Sequence, residues 1–209
     1  MDVILDGEPT RFDASTCANL AELVAAAERF SVSGEDRAVV AVEVDGRPLE
    51  PEELGLLAER SLDGVGCVAI HRRPTVAVAR SVLEQGADYT GQIVDAIGRT
   101  VDHYRSGRSD LASGLLADVT DSLTVLTGIT ASVAKVLEHE ARSLARVQMR
   151  IQPWLEQMLE AQRVGDPILI ADTLDYEVAP RIAQWGEVMR ALGSGSESAA
   201  ATVEAVLSS

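Results

Sequence analysis

The stretch HRRPT, residues 71–75, separates two hydrophobic patterns in this chain of 209 residues. Before it, short apolar runs alternate with turn residues, which is typical of β-strands. After it, from about Val76, apolar residues recur at the 3.6-residue spacing of amphipathic helices. A chain of this length can form two small cores. We therefore predict an α+β protein with two independently folding domains and a boundary near His71–Thr75.

Residues 1–73 predict a small sheet domain with the element order β-β-α-β-(short α)-β. Asp-Gly pairs at 6–7 and 45–46 supply the positive φ that tight turns require. Either Thr16 or Asn19 can cap the helix that follows. The four strands are expected at residues 2–5, 10–13, 37–44 and 65–70.

In length and element order, residues 1–73 resemble the β-grasp, or ubiquitin-like, fold. The resemblance covers about a third of the chain and rests on the pattern described above. Ubiquitin-like conjugators use a free C-terminal Gly-Gly, whereas here the last predicted strand continues into His71-Arg72-Arg73-Pro74 and the chain extends to residue 209. The resemblance therefore implies an interaction or docking module.

Residues 76–192 predict an antiparallel four-helix bundle, because four amphipathic stretches are joined by short connections. The first helix should end at Gly107 and the second at Gly128. The third should begin near Thr130 and be kinked by Pro153. The remaining residues, 193–209, begin as a Gly/Ser linker, and we leave two forms open for them: a flexible tail or a short amphipathic docking helix.

The fourth helix begins with an unusual apolar turn. Asp166 can act as its N-cap and Pro167 as its first residue, and the sequence ILI follows directly. If Gly128 ends the second helix, the hairpin between helices three and four projects beyond the first pair, and its tip is exposed. We then predict a surface for protein binding or self-association, formed by Trp154, Met158, Ile168, Leu169 and Ile170. If Gly128 lies within a longer helix, the bundle is even in length and Ile168, Leu169 and Ile170 are ordinary core.

Composition limits the classes of partner. The net charge of −15 and the pI near 4.5 oppose general binding to nucleic acid or anionic membranes, and favour basic partners. The chain lacks a secretory signal pattern and any run of ~20 apolar residues, so we expect a cytoplasmic protein. Phosphate-binding glycine motifs are missing, and neither His103 nor His139 has the glutamate of a Glu-x-x-His motif. We therefore predict no catalytic residue, cofactor or metal.

The segment EAQRVGDPILIADTLDYEVAP, residues 160–180, resembles uncharacterised bacterial helical proteins with a similar Gly-Asp, Ala-Asp and Tyr-Glu pattern. In size, acidity and helicity the C-terminal part is also similar to cytoplasmic chaperones of flagellar or type III export. We predict a non-enzymatic adaptor or chaperone-like protein that binds another protein, or a second copy of itself, through the helical domain. The alternative is an enzyme that uses Asp175 as a desolvated acid near Ile182.

Overall fold

The computed structural model describes residues 1–9, 16–30, 34–196 and 199–208. The chain divides into two units, Met1–Val78 and Ala79–Ser209. In the described residues the strands lie in the first unit and long helices make up the second. The predicted α+β class, with a sheet region followed by helices, is confirmed.

In its described residues, the first unit contains a five-stranded sheet, two α-helices and a 3₁₀ turn. The sheet order is β2-β1-β5-β3-β4; β1 is parallel to β5 and the other neighbours are antiparallel. The predicted strand at residues 10–13 lies outside the described residues. The elements are β1 (Asp2–Leu5), β2 (Glu8–Pro9), α1 (Leu20–Arg29), β3 (Arg37–Val44), β4 (Arg47–Pro48), α2 (Pro51–Leu54), a 3₁₀ turn (Leu57–Glu59) and β5 (Cys67–Pro74).

Local sequence signals account for the turns and the start of α1. Asp6 and Asp45 have positive φ angles of 55° and 51°, and each is followed by a glycine in the same region, as the Asp-Gly pairs predict. Asn19 is the N-cap of α1, because its side-chain oxygen accepts a hydrogen bond from the Glu22 N–H at 3.0 Å. Between α1 and the sheet lies the core of this unit: Val3, Leu5, Leu20, Leu23, Ala27, Val42, Val68 and Ile70.

Arg72 of the HRRPT stretch connects the sheet to both the first turn and α1. Its backbone N–H donates to Asp6 Oδ1 at 2.6 Å, and its guanidinium donates to Asp6 Oδ2 at 2.9 Å. The same guanidinium donates to the carbonyls of Ala27 (2.9 Å) and Phe30 (2.5 Å). Burial acts to raise the pKa of Asp6, but the hydrogen bonds and charge of Arg72 outweigh it, so this pKa lies below its ordinary value. We call these four residues the Arg72 network.

The second unit contains more helices than the predicted four. Within the described residues there are seven α-helices, so the four-helix count is not confirmed. Six consecutive residues between α7 and α8 are π-helical, so Pro167–Ser194 is one continuous helical path. The elements are α3 (Thr75–Arg105), α4 (Ser109–Val136), α5 (Ala141–Met149), α6 (Gln152–Val164), α7 (Pro167–Asp172), the π segment (Thr173–Val178), α8 (Ala179–Ser194) and α9 (Ala199–Ser208).

Gly128 does not end the second helix of the predicted bundle. It lies inside α4, which continues to Val136, so Thr130 belongs to this helix and not to the next one. A helical glycine costs only about 1 kcal/mol relative to alanine, and burial of Leu126 and Val133 on the same helix outweighs that cost. The predicted third helix is instead two helices, α5 and α6, and Pro153 lies in the first turn of α6.

The π segment has a local cause in Pro180, which lies in the first turn of α8. Proline has no N–H to donate, and its ring clashes with the carbonyl four residues earlier. One wider turn removes that clash, and the Ala179 N–H accordingly bonds to the carbonyl of Leu174, five residues earlier. The side chains before and after the segment therefore deviate from simple 3.6-residue spacing.

Helix α3 runs antiparallel to the Pro167–Ser194 path, with very close packing at three glycines. A Cβ at Gly186 would collide with the Thr90 side chain, and one at Gly86 would collide with Met189. At Gly193 a Cβ would lie 3.1 Å from a backbone oxygen of α3, that of Arg80. Gly186 and Gly193 let the two helix backbones approach closely, whereas the atom that a Cβ at Gly86 would meet is the end of the flexible Met189 side chain.

The C-terminal segment contains helix α9. Val203 and Leu207 of α9 are buried in the core of the helical unit. Arg150 donates to the Val206 carbonyl at 3.2 Å, and Arg146 forms an ion pair with Glu204 at 3.5 Å. For residues 199–208, the structure therefore has the docking helix rather than the flexible tail.

Candidate functional site

A tight reversal joins α6 to α7 and exposes the residues around it. Gly165 ends α6 in the left-handed region at φ 69°, and the N–H of Asp166 bonds back to the Ala161 carbonyl at 3.0 Å. The Asp166 carboxylate then accepts hydrogen bonds from the N–H groups of Ile168 (3.1 Å) and Leu169 (3.0 Å). The predicted N-cap is confirmed, and it holds both apolar residues in a fixed first turn.

Three apolar side chains around this reversal are exposed to solvent. Val164 is 66% exposed, Ile168 55% and Leu169 38%. They lie within six residues of one another, on either side of the reversal at Gly165. We call Val164, Ile168 and Leu169 the corner surface.

The other three residues predicted for partner binding lie elsewhere. Ile170 and Met158 are buried, at 4% and 6% exposure, and belong to the core. Trp154 is half-buried, and the guanidinium of Arg181 lies 4.7 Å from its ring centroid. Arg181 is held there by Glu177, whose carboxylate oxygen is 2.7 Å from the guanidinium. The structure therefore groups Ile168 and Leu169 with Val164, which the sequence reasoning missed although it is the last apolar residue before the helix-ending Gly165.

The reason expected for the exposure of this turn is wrong. A projecting hairpin required a short second helix, but α4 has 28 residues and α3 has 31, so the long helices are nearly even. The exposed residues instead flank the reversal itself: Val164 is the last residue of α6, and Ile168 and Leu169 lie in the first turn of α7.

Asp175, the candidate acid of the enzyme hypothesis, is part of an ion-pair cluster on the π segment. Arg105 reaches it from the last turn of α3, with an N–O distance of 2.8 Å, and also pairs with Asp172 at 3.0 Å. The Tyr176 ring lies 5.6 Å from the same guanidinium. The hydrogen bonds that the Arg105 guanidinium donates, first to Asp172 and then to Asp175, raise the pKa of Arg105 above its ordinary value. This half-exposed carboxylate paired with arginine differs from the desolvated acid that the enzyme hypothesis assumes.

Two further properties bear on the class of protein. Among the described residues, no group of three or more His, Cys, Asp or Glu side chains is placed to hold a metal ion. In the same part of the chain, no helix is both long and apolar enough to cross a bilayer.

Comparison with known proteins places the helical unit in a family. Residues 81–188, more than half of the chain, match the domain of unknown function DUF8042. The chain belongs to the DUF8042 family. The DUF8042 match includes the corner surface and the ion pairs of Arg105 with Asp172 and Asp175. It leaves the sheet unit and α9 outside.

A relative of this DUF8042 protein occurs in Treponema pallidum (strain Nichols), where it is described as an uncharacterized protein. The two are 26% identical over 185 residues, which cover 86% of this chain and 92% of the relative. The similarity therefore extends beyond the DUF8042 domain itself. No solved structure matches the chain.

Proposed function

We propose that this DUF8042 protein is a non-enzymatic adaptor that binds another protein through the corner surface. The observation that carries the proposal is that Val164, Ile168 and Leu169 are exposed on a turn that capping hydrogen bonds hold in one conformation. Binding to a turn whose backbone is already ordered costs little backbone entropy, and exposed apolar patches are typical of interaction surfaces.

The charge of the chain narrows the chemistry of the partner. The net charge is −15, so long-range attraction favours a basic protein, while the contact itself is apolar. A partner with an apolar anchor surrounded by Lys or Arg fits both properties. A second copy of this chain carries the same negative charge and is therefore the less favoured partner.

The sheet unit supports the same class of function. Its sheet order β2-β1-β5-β3-β4, its parallel β1–β5 pair and the packing of α1 on the sheet support assigning a β-grasp fold to this unit. Modules of this type often serve as docking domains. A chaperone-like role in the cytoplasm, which the acidity and helicity of the chain favour, belongs to the same proposal.

The test compares two double variants of the full chain. Ile168→Ser with Leu169→Ser removes apolar area from the corner surface, whereas Leu111→Ser with Val125→Ser removes comparably exposed area from α4. We expect both variants to keep the melting temperature of the wild type within a few degrees. Only the corner variant should fail to bind a partner that affinity purification with the wild-type chain recovers, or fail to form a dimer that light scattering detects for the wild type.

Ile170→Ser supplies the contrasting core variant, because Ile170 is buried. We expect it to lose about 3 kcal/mol of unfolding free energy. If the corner variant is destabilised as strongly as Ile170→Ser, or if it retains every complex, the proposed function is wrong.

A further inference from the structure

Helix α9 occupies a groove between α5 and α8. These two helices pack against each other, and α9 packs against both of them. The buried residues of α9 follow one another at four-residue spacing: Ala199, Val203 and Leu207. Val203 and Leu207 belong to the core of the helical unit. The structure therefore contains a helix-binding groove together with its occupant, and the occupant indicates which chemistry the groove accepts.

Two arginines at the edge of the groove contact α9. Arg146 of α5 forms an ion pair with Glu204 at 3.5 Å, and Arg150, the C-cap of α5, donates to the Val206 carbonyl at 3.2 Å. Glu204 is exposed, so the pair contributes recognition of charge rather than burial. A helix with a carboxylate at the position of Glu204 complements both cations.

The side chains of α9 leave space beside it unfilled. A half-open cavity of about 390 Å³ lies between α9 and residues of α3, the start of α5 and the end of α8. Ala199 and Ala200 of α9 line this cavity, together with Arg80 of α3 and Ser143 of α5. Alanine is too short to reach across a space of this size. A helix with a larger side chain at the position of Ala200 would therefore bury more apolar area in the same groove.

The attachment of α9 to the rest of the chain permits exchange. The sequence GSES, residues 195–198, joins α8 to α9 and has the Gly/Ser-rich composition of a linker. The DUF8042 match ends at residue 188, so α5 and most of α8 lie within the family domain. Helix α9 lies outside the part that defines the family. The walls of the groove thus belong to the family domain, whereas its occupant does not.

We propose that this groove binds an amphipathic helix of another protein, and that α9 is its displaceable intramolecular occupant. The partner helix has the apolar spacing of α9, a larger side chain at the position of Ala200 and a carboxylate at that of Glu204. Because α9 covers a core surface, it is exchanged for the partner helix rather than simply released. The site goes beyond the proposed function, since the groove and the corner surface share no residue.

The probe for the test is a fluorescent peptide with the sequence of residues 196–209, which carries the chemistry of α9. Fluorescence anisotropy measures its binding to the full chain. In the wild type, α9 of the same chain competes with the peptide, so the apparent affinity should be low. Val203→Ser with Leu207→Ser removes two anchors of α9, and this variant should bind the peptide at least about tenfold more tightly.

Two further full-chain variants show whether displacement of α9 is the cause. Ala201→Ser with Ala205→Ser makes two polar changes on the exposed side of the same helix, and should leave peptide binding at the wild-type level. Glu204→Arg keeps the apolar anchors and repels Arg146 and Arg150, so it should tighten peptide binding about threefold. This variant supplies the opened groove if the serine variant does not fold.

A matched pair of peptides tests the unfilled cavity. A peptide carrying Ala200→Leu should bind the opened variants at least about threefold more tightly than the unmodified peptide, because the larger side chain occupies the cavity. A peptide carrying Ala201→Leu makes the same change at a position that does not line the cavity, and should bind like the unmodified peptide.

Hydrogen exchange tests whether α9 leaves the groove while the rest of the helical unit stays folded. The amide groups of α9 in the wild-type chain should exchange at least about a hundredfold faster than the protected amide groups of α8, because local opening costs less free energy than global unfolding. Exchange of the α9 amides only through global unfolding would make α9 a permanent part of the core, and the inference would be wrong.

Other outcomes would also overturn the inference. One is failure of the peptide to bind any opened variant, and another is equal binding to the opened variants and the wild type. A dimer of the opened variants in light scattering would make α9 of a second copy the occupant instead. Loss of peptide binding in the Ile168→Ser, Leu169→Ser variant would assign the peptide to the corner surface, whereas unchanged binding in that variant keeps the two sites separate.

Discussion

The sheet unit and the helical unit are stabilised by different kinds of contact. The sheet unit has a small apolar core, and the Arg72 network adds polar bonds between a turn, a strand and the end of α1. The helical unit has a much larger apolar core, and glycines bring α3 and α8 into close contact. The difference shows how core size changes the type of contact on which each unit depends.

The reason lies in the ratio of surface to volume. A unit of fewer than 80 residues buries a smaller fraction of its surface than a larger unit does, so specific hydrogen bonds to a charged group contribute a large part of its net stability. In the larger unit, apolar burial supplies most of the free energy, and steric fit decides how much of it is retained. A substitution that introduces a steric clash should therefore lower the unfolding free energy of the helical unit most. A substitution that removes a charge should lower that of the sheet unit most.

The largest effect is expected from Gly186→Ala in the helical unit. The added methyl group collides with Thr90, whose hydroxyl is already bonded to the Ala87 carbonyl at 2.7 Å. We expect a loss of about 2–3 kcal/mol in unfolding free energy, although alanine is the better helix former. Urea denaturation of the full chain, followed by far-UV circular dichroism, measures this loss.

Two controls decide whether the loss is steric. In a Thr90→Ala background the cost of Gly186→Ala should fall by about 1 kcal/mol or more, because the closest colliding atom, Thr90 Oγ1, is gone. Gly128→Ala adds the same methyl group to α4 where no atom lies within 4 Å, and should stabilise by about 0.5–1 kcal/mol. Equal destabilisation by both glycine changes would refute the close-packing explanation.

A smaller effect is expected from Asp6→Asn in the sheet unit. Asparagine tolerates the positive φ at this position, so the change mainly removes the charge that pairs with Arg72. We expect a loss of about 1–2 kcal/mol near neutral pH, since partial exposure screens the pair. The loss should appear in the unfolding transition of the sheet unit. The protection of its amide groups against hydrogen exchange measures this transition.

The effect of Asp6 should depend on pH in one direction. The pKa of Asp6 is lowered in the folded state. The stabilisation that its charge supplies is therefore complete at pH values well above the unfolded pKa of about 3.9, and it decreases as the pH falls through the folded pKa. The difference between wild type and Asp6→Asn should thus shrink between about pH 5 and about pH 2. A difference that stays constant over this interval would mean that Asp6 does not act through its charge.

The smallest effect is expected from removing residues 1–74. Each unit has its own apolar cluster. A chain of residues 75–209 should therefore unfold cooperatively, with nearly the same unfolding midpoint as the helical unit in the full chain. The shortened chain must retain α9, because Val203 and Leu207 belong to the core. A shortened chain that is unfolded would contradict the prediction of independent domains, provided that the full chain is stable under the same conditions.

The sequence predicted the features that depend on neighbouring residues. The Asp-Gly turns, the Asn19 cap and the Asp166-Pro167 helix start all require only local backbone geometry, and the structure contains each of them. The prediction failed at Gly128, because a weak local signal was outweighed by burial on both sides of it. Of the candidate surface, Ile168 and Leu169 could be anticipated, whereas Ile170 could not be separated from them by composition alone.

By itself, the sequence determined the α+β class, the change of pattern at HRRPT and the local starts and turns of the elements, because short-range sterics and hydrogen bonding decide these. Tertiary structure alone decided which residues meet across the fold. It paired Arg105 with Asp175, set Gly186 against Thr90 and placed Arg80, Ser143 and Ala200 around one cavity. These residues are far apart in the chain, and their proximity depends on the packing of whole helices, which no local pattern encodes.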